Sequence, residues 1–316
     1  MKETKRTRSF ISEYFIFVIF IALVVILACL KPSFISPRNL VNILKQASIN
    51  GILAFGMMFV IVAGGFDMSV GSTVAFTGIL AAMLGQGNYP IIVPLAVAML
   101  AGLAVGVLNG VGVAVGNLPP FIMTLGMGTV VRGASIIWTN GTPKGYSAPL
   151  IRTISNSALF DVIPYIVIVW AVMAVLAIVM LRYTPFGRKI YAVGSNPTAA
   201  QFSGINSKAV TFGVYILSAL IACITGFFLI GFTGESYLDA GAKYDTAVIA
   251  AVILGGTSIT GGKGGYLGSA AGSIMMIVFT DFLTIINMSP GLRTAGQGLL
   301  ILLLIVLYAR ERKVRV

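Results

Sequence analysis

The most constraining feature of the sequence is a stretch without any charged side chain, which covers residues 68–131. One membrane-spanning helix needs about 20 apolar residues, so this stretch is too long for one crossing and has to fold back. In lipid every backbone N–H and C=O group needs an internal partner, which a helix provides within one segment. The stretch therefore predicts several transmembrane helices in succession.

The composition of the whole chain favours the same fold class. Only 9% of the 316 residues are charged and 58% are hydrophobic, whereas soluble domains carry about 25% charged residues. The sequence therefore predicts an all-α polytopic membrane protein with one transmembrane domain over residues 1–316. The net charge of +12 is concentrated in predicted loops and tails, as basic residues on the cytoplasmic side are, and does not indicate nucleic-acid binding.

The residue types present also exclude several kinds of site. The chain contains no histidine, so histidine-based catalysis and histidine metal sites are excluded. Its two cysteines, Cys29 and Cys223, lie in apolar segments and predict no disulfide framework. We expect neither an enzyme activity nor a metal site on this chain.

Apolar windows between charges and turn residues predict about ten transmembrane helices, with short or broken helices near residues 64–72 and 255–262. The windows are residues 10–30, 47–66, 69–86, 90–116, 119–138, 162–181, 209–232, 245–261, 264–285 and 294–309. The first window is longer than the apolar region of a signal peptide, which favours a retained helix over a cleaved one. Basic residues at both ends of the chain place both termini in the cytoplasm.

Glycine is patterned as well as abundant. Two sets of three glycines recur at every fourth residue, namely Gly102, Gly106 and Gly110, and Gly264, Gly268 and Gly272. Small residues at this spacing let two membrane helices approach closely. Chance occurrence in a chain with 37 glycines is the alternative explanation.

Two pairs of segments look like internal copies of one another. Residues 117–128 match residues 287–298 in the positions of Asn, Pro, Thr and two Gly, and residues 64–69 resemble residues 255–260. Transporters are often built from repeats that meet at the pathway. The motifs are unequally spaced in the two halves, which leaves the symmetry of the repeat open.

Asp67 is a single carboxylate between two long apolar runs. An ionisable group at membrane depth is costly and indicates function by default. The alternative is a structural role, in which Asp67 or Ser69 accepts hydrogen bonds from the first turn of the next helix. The two roles are compatible.

A polar segment, residues 184–208, interrupts the apolar pattern on the predicted cytoplasmic side. Asn196 followed by Pro197 is typical of a helix start, and Gly204 is typical of a helix end. A short helix in a cytoplasmic loop gives a partner protein a surface to bind. The alternative is an ordinary connecting loop.

Five segments together resemble the permeases of ATP-binding-cassette (ABC) importers for ribose and related monosaccharides. They are residues 42–46, 65–72, 116–126, 184–196 and 255–262, and the resemblance covers residues 40–305. It implies a protein of the bacterial cytoplasmic (inner) membrane, surrounded by lipid, that imports a small polar solute such as ribose. It also implies a homodimeric or heterodimeric permease, two cytoplasmic ATPase domains that bind ATP and Mg, and an extracytoplasmic solute-binding protein, with no cofactor on this chain.

The resemblance also implies a coupling helix, because Ala199-Ala200 and Gly204 match the Ala-Ala-x-x-x-Gly core on which importers dock their ATPase. Thr198 stands where many relatives of the wider class carry Glu. The expected ATPase-coupling residues are Arg188, Asn196, Pro197, Ala199, Ala200, Ser203, Gly204 and Ile205.

Two further groups of residues are candidates for function. Those expected to line or gate the solute pathway are Asp67, Ser69, Asn117, Phe121 and Thr124. Those expected to bind the solute-binding protein lie in a short acidic loop and are Glu235, Tyr237, Asp239, Tyr244 and Asp245.

Other functions stay open. An importer permease for a branched-chain amino acid or a nucleoside is the nearest alternative. An ion-coupled secondary transporter would need intramembrane acidic groups, for which chiefly Asp67 and Asp281 are placed, and it would leave the segment 184–206 unexplained.

The sequence contains no Gly-Lys-Ser/Thr loop of the kind that holds nucleotide phosphates. We therefore expect the purified chain neither to bind nor to hydrolyse ATP, as measured by phosphate release after contaminating ATPases are removed. Saturable hydrolysis by the chain alone would contradict this prediction.

Overall fold

The structure of the protein is a computed structural model that describes residues 20–22, 24–87, 89–142, 145–160 and 162–313, with side chains as far as residue 303. Residues 10–19 of the first predicted span, and the basic residues before them, lie outside this part of the chain. So do the last three residues, 314–316.

Helices form nearly all of the described structure. They are α1 (Phe20–Leu30), α2 (Pro37–Val62), α3 (Val70–Leu84), α4 (Ile92–Ala114), α5 (Pro120–Thr139), α6 (Pro149–Asn156), α7 (Tyr165–Tyr183), α8 (Pro185–Ser195), α9 (Pro197–Phe202), α10 (Ser207–Thr233), α11 (Ala242–Leu254), α12 (Tyr266–Ile285) and α13 (Pro290–Lys313). A 3-10 helix (Pro32–Ile35) precedes α2, and an antiparallel hairpin of β1 (Ala158–Leu159) and β2 (Ile163–Pro164) precedes α7. Apart from this hairpin, which the sequence did not predict, the all-α fold is confirmed.

Six of the described helices are long and apolar enough to cross a membrane, namely α2, α4, α5, α7, α10 and α12. The chain is therefore a multi-pass membrane protein. Helices α3 and α11 have only 15 and 13 residues, which at about 1.5 Å per residue is less than the roughly 30 Å of hydrocarbon. The predicted short helices are confirmed, since a non-helical segment precedes α3 and another follows α11.

Helices α2 and α10 form the centre of the molecule. Of their most apolar windows 89% and 67% of the residues are buried, against 22% for α5 and for α7. Glycines of α4 lie along α10, where added Cβ atoms would meet the side chains of Cys223, Ala219 and Phe212. The predicted close approach at Gly102, Gly106 and Gly110 is therefore confirmed.

The second predicted glycine stripe is only partly correct. Gly268 and Gly272 lie on α12 against the backbone of Gly255 and Ala251, at the end of α11. Gly264 precedes the start of α12 and lies against Thr257 instead. The stripe therefore has two members on the helix, and its first member belongs to the preceding loop.

The internal repeat has a structural counterpart in two four-helix halves. Helices α2–α5 and α10–α13 both comprise a long helix, a non-helical segment, a short helix and two longer helices. Asn117 and Asn287 are both left-handed, with φ of 52° and 58°, three residues before the proline that begins the last helix. The segments 64–69 and 255–260 do not correspond, because the first precedes the short helix α3 and the second follows the short helix α11.

The close contact of α4 with α10 predicts a large difference between two Gly→Ala substitutions. A Cβ on Gly106 would lie 2.8 Å from the Ala219 Cβ and 3.0 Å from the Ile216 Cα, whereas a Cβ on Gly126 of α5 meets nothing within 4 Å. We expect Gly106→Ala to lower the stability of the detergent-solubilised protein by about 1–3 kcal/mol through overpacking. Gly126→Ala should be neutral or stabilising because alanine favours helix. Equal melting temperatures for the two variants would contradict this packing.

Candidate functional site

Helix α2 ends at Val62, before the chain reaches Asp67. The left-handed Gly64, with φ of 87°, ends the helix, and the Gly65 N–H donates to the Val60 carbonyl at 2.9 Å. Residues 63–69 then run without helical structure to the start of α3. This segment is called the α2–α3 junction below.

The Asp67 carboxylate is fully buried in this junction and is satisfied by protein donors. Its Oδ1 accepts from the Ser69 N–H at 3.0 Å and from the Ser69 hydroxyl at 2.6 Å. Its Oδ2 accepts from the Ser218 hydroxyl of α10 at 2.9 Å. The Asn109 side-chain amide of α4 donates to the Ser69 hydroxyl at 2.8 Å. One carboxylate thus joins the junction to α10 and, through Ser69, to α4.

This network lies near the middle of the membrane. Ser218 is about 17 Å from the start of α10 and about 22 Å from its end at 1.5 Å per residue. Helix α10 is itself long enough to span the membrane. Since Asp67 is bonded to Ser218, the end of the junction and the start of α3 lie at mid-membrane depth.

The N-terminal ends of α3 and α11 meet at this depth. The Gly71 N–H in the first turn of α3 donates to Asp245 Oδ1 of α11 at 2.6 Å. Gly71 and Gly241 are in backbone contact, so that a Cβ on either would overlap the other. The two short helices therefore face each other with the ends that carry exposed N–H groups and positive dipole charge.

From this meeting point the two short helices run to opposite ends of the molecule. Ala82, near the end of α3, lies against Gly145, close to the C-terminal end of α10 at Gly234. The loop after α11 returns to the end of α2, where the Gly262 N–H donates to the Val62 carbonyl at 2.9 Å. Each short helix therefore covers one part of the membrane thickness.

The predicted capping role of Asp67 needs a correction. Asp67 binds Ser69, which precedes the helix, and the Ser69 side chain does not cap α3. The carboxylate that accepts an N–H of the first turn of α3 belongs to Asp245, 174 residues further along the chain. A neighbour in space has taken the role expected of a neighbour in sequence.

The five pathway candidates separate into two places. Thr124 is buried, and its hydroxyl accepts from the Met68 N–H at 2.9 Å, which places it with Asp67 and Ser69. Asn117 and Phe121 are exposed at the other end of this region, where α4 ends and α5 begins.

Asn117 also lines a cavity of about 220 Å³ beneath the coupling segment, together with Gly64, Tyr215, Pro197 and Lys208. The Tyr215 hydroxyl donates to the Phe66 carbonyl at 3.1 Å. The cavity therefore reaches from the α2–α3 junction towards α9.

The predicted docking loop for a binding protein is not one continuous surface. Glu235 is exposed and Tyr237 is partly buried, while Asp239 pairs with Arg132 of α5. Tyr244 is only 6% exposed, and Asp245 is engaged with α3. The prediction that Tyr244 and Asp245 bind a partner is therefore wrong for this chain, because α11 begins inside the protein.

The coupling segment is built from three consecutive helix starts, each capped by its own side chain. The Gly187 N–H donates to Thr184 Oγ1 at 3.2 Å, the Ala199 N–H to Asn196 Oδ1 at 3.0 Å and the Ala209 N–H to Asn206 Oδ1 at 3.0 Å. Gly204 is left-handed with φ of 79° and ends the short helix. The predicted helix from Pro197, closed by Gly204, is confirmed, whereas the preceding helix α8 was not predicted.

Most of the predicted coupling residues are on the surface, and one is not. The exposed ones are Arg188, Asn196, Pro197, Ala199, Ser203 and Gly204, and Ile205 is partly buried. Ala200 is 4% exposed and belongs to the protein core, so its predicted contact with a partner is wrong. Phe202 is 89% exposed and was missed, although a phenylalanine in a polar loop is a visible signal in the sequence.

Helix α8 connects the coupling segment to both non-helical junctions. Gly194 lies against the Val62 carbonyl and Gly262, and Gly261 lies against Gly194 and Gly64. The Tyr191 hydroxyl donates to the Gly264 carbonyl at 2.7 Å. Partial burial raises the pKa of the Tyr191 phenol, which keeps it a donor. A displacement of α8 would therefore act on the end of α2 and on the loop after α11 together.

Comparisons with known proteins agree over almost the whole chain. A family model described as branched-chain amino acid transport system / permease component matches residues 39–308. The ribose import permease protein RbsC of Haemophilus influenzae is 35% identical over 301 residues, which is 94% of this chain and 93% of that protein. The RbsC protein of Bacillus subtilis is 35% identical over 90% of this chain and 89% of that protein.

A relative with a different printed solute is also similar. The fructose import permease protein FrcC of Rhizobium meliloti is 31% identical and matches 94% of this chain and 85% of that protein. No solved structure matches this chain.

The Asp67 network predicts different effects for two substitutions of similar size. Asp67→Leu leaves the Ser69 and Ser218 hydroxyls without their shared acceptor, and we expect a loss of about 2–4 kcal/mol in stability. Asp67→Asn keeps an acceptor oxygen and should cost less than half as much. Thermal unfolding in detergent measures both, and a leucine variant as stable as the native protein would contradict the anchoring role.

Proposed function

This chain belongs to the family of branched-chain amino acid transport system / permease components, and on that premise we propose that it is the transmembrane subunit of an ABC importer. The observation that carries the proposal is the capped coupling segment, which presents an exposed short helix and contacts both junctions. A subunit driven by a separate ATPase requires such a contact. In this proposal the chain catalyses no reaction and holds no cofactor, and ATP and Mg bind to the partner subunits.

We propose that the solute is a monosaccharide such as ribose. The relatives named above are import permeases for ribose and fructose. The meeting ends of α3 and α11 favour a neutral solute as well. In transporters with broken helices such positive ends bind anionic substrate groups, but here the carboxylates of Asp67 and Asp245 already lie at these ends.

The proposed topology has ten crossings, with both termini in the cytoplasm of a bacterium. Each predicted apolar window falls on one of the helices α1–α5, α7 and α10–α13. The segments before α3 and α11, together with these short helices, count as one crossing each. This arrangement places α8, α9 and the cavity beneath them on the cytoplasmic side, in agreement with the basic residues Arg182, Arg188, Lys189 and Lys208.

The proposed partner on the cytoplasmic side is the ABC ATPase, which binds the exposed face of α9. Phe202 is the proposed anchor, since buried aromatic side chains dominate the energy of protein interfaces. Asn196, Ala199, Ser203 and Gly204 surround it and let the partner approach closely, because they are small or polar.

On the opposite side the proposed partner is a solute-binding protein. There Glu235 forms a bridge with Tyr146, which is 67% exposed, and these two residues replace Tyr244 and Asp245 as the proposed docking surface. A second permease copy completes the pathway.

An amino acid importer is the second candidate function, favoured by the printed description of the family. An ion-coupled transporter has less support, because Asp67 is tied to Ser69 and Ser218 and would have to break these bonds to carry an ion.

The proposed function is tested in proteoliposomes that contain this chain and its ATPase, with the binding protein outside and ATP inside. We expect saturable uptake of labelled D-ribose that depends on both ATP and the binding protein. Uptake of leucine without ribose would support the second candidate. Uptake driven by a proton or sodium gradient alone would overturn the importer assignment.

The coupling role of Phe202 has a sharp test with a neighbouring control. We expect Phe202→Ala to weaken binding of the ATPase by about 2 kcal/mol, roughly 30-fold, because an interface anchor is lost. Gln201→Ala, at an exposed neighbouring position, should have little effect. Co-purification and ribose uptake measure the loss, while the melting temperature of the chain alone should not change. Full retention of the ATPase by the Phe202 variant would contradict this assignment.

A further inference from the structure

An ion pair lies on the outer surface of the single chain within its apolar region. Arg132 of α5 and Asp239, in the segment before α11, are 2.8 Å apart, and their side chains are 58% and 61% exposed. It is the only ion pair among the described residues.

The pair lies at membrane depth. Arg132 is about 18 Å from the start of α5 and about 10 Å from its end at 1.5 Å per residue. Gly128, one turn earlier on α5, lies against Met68 and Ser69. Asp239 precedes by two residues Gly241, which contacts Gly71. Both charges are therefore close to the point where the short helices meet.

Charged groups at this depth are costly in lipid, and they face a protein interior or a water-filled cavity. The protein interior is excluded here, because both side chains are more than half exposed. Water on the pathway between permease subunits is the surrounding that remains.

Helix α5 has distinct sides that agree with this assignment. Its buried residues follow one stripe: Thr124, Gly128, Val131, Ser135 and Thr139. Its outward side is apolar and exposed at Ile122, Val130 and Ile137. Arg132 lies between the two, on the flank shared with Thr129, which is about 60° away around the helix, whereas Val130 is about 160° away.

We propose that Arg132 and Asp239 form a solute-contact site on the translocation pathway. The guanidinium has five N–H donors and the carboxylate has two acceptor oxygens, and their mutual contact leaves several of these groups free for neighbouring hydroxyls of a sugar. The pair is neutral in sum, which suits an uncharged solute. Its contacts with water and solute are exchangeable, as release into the cell requires. The identity of the solute rests on the proposed function, whereas the assignment of this flank to the pathway does not.

The facing of this flank is tested first by thiol accessibility in the assembled transporter, with Cys29→Ser and Cys223→Ser as background. Thr129→Cys and Val130→Cys are adjacent exposed positions, and both leave the ion pair intact. A membrane-impermeant methanethiosulfonate should modify the Thr129 variant at least about tenfold faster, since an apolar surrounding suppresses the thiolate that reacts. Equal rates, or faster reaction of the Val130 variant, would overturn the assignment.

The solute contact itself is tested by Arg132→Gln, Asp239→Asn and the charge exchange Arg132→Asp with Asp239→Arg. Arg152→Gln, an exposed arginine of α6, is the matched control. We expect ribose uptake to fall by about tenfold or more in the two single variants. ATP hydrolysis stimulated by the binding protein, and the melting temperature, should stay near native values. The charge exchange should restore uptake in part.

Two outcomes would contradict the site. One is uptake within twofold of native in both single variants, and the other is a loss of uptake that follows an equal loss of thermal stability. If the native assembly transports no monosaccharide, the proposed function fails by itself. The labelling contrast between the Thr129 and Val130 variants then still decides whether this flank faces the pathway.

Discussion

A buried carboxylate in the middle of a membrane has to be satisfied by protein donors, and this requirement at Asp67 sets much of the architecture. Ser69 and Ser218 meet it with hydrogen bonds of 2.6–3.0 Å. Because Ser218 belongs to the central helix α10, the bond fixes the depth at which the chain leaves α2 and begins α3. Asp245 then binds the first turn of α3, so that the second short helix is placed by the first.

The junctions are also where force from a partner would arrive. Residues 194, 261, 262 and 64 are all glycines, and their backbones touch between α8, the loop after α11 and the end of α2. Close-packed backbone contacts transmit displacement, because they have no flexible side chains to absorb it. In the proposed importer, movement of the ATPase under α9 reaches the meeting point of the two short helices by this route.

Local signals in the sequence predicted what local interactions determine. Asn196, Pro197 and Gly204 gave the start and end of α9, and the glycines of α4 gave its contact with α10, because each signal acts within a few residues or along one helix. The engagement of Asp245 with α3, the burial of Ala200 and the pairing of Arg132 with Asp239 were not predicted. Each depends on a partner far away in the chain, and a single sequence carries no record of which distant segments meet.

The central claim is that α3 and α11 are two short helices that meet by their N-terminal ends at mid-membrane. An electron cryomicroscopy structure of the chain with its ATPase in a lipid nanodisc measures this most directly. The account predicts that Asp67, Gly71 and Asp245 lie together near the bilayer midplane, with α3 and α11 running to opposite faces. Density with both short helices in the same leaflet, or with Asp245 separated from α3 in every state, would contradict it.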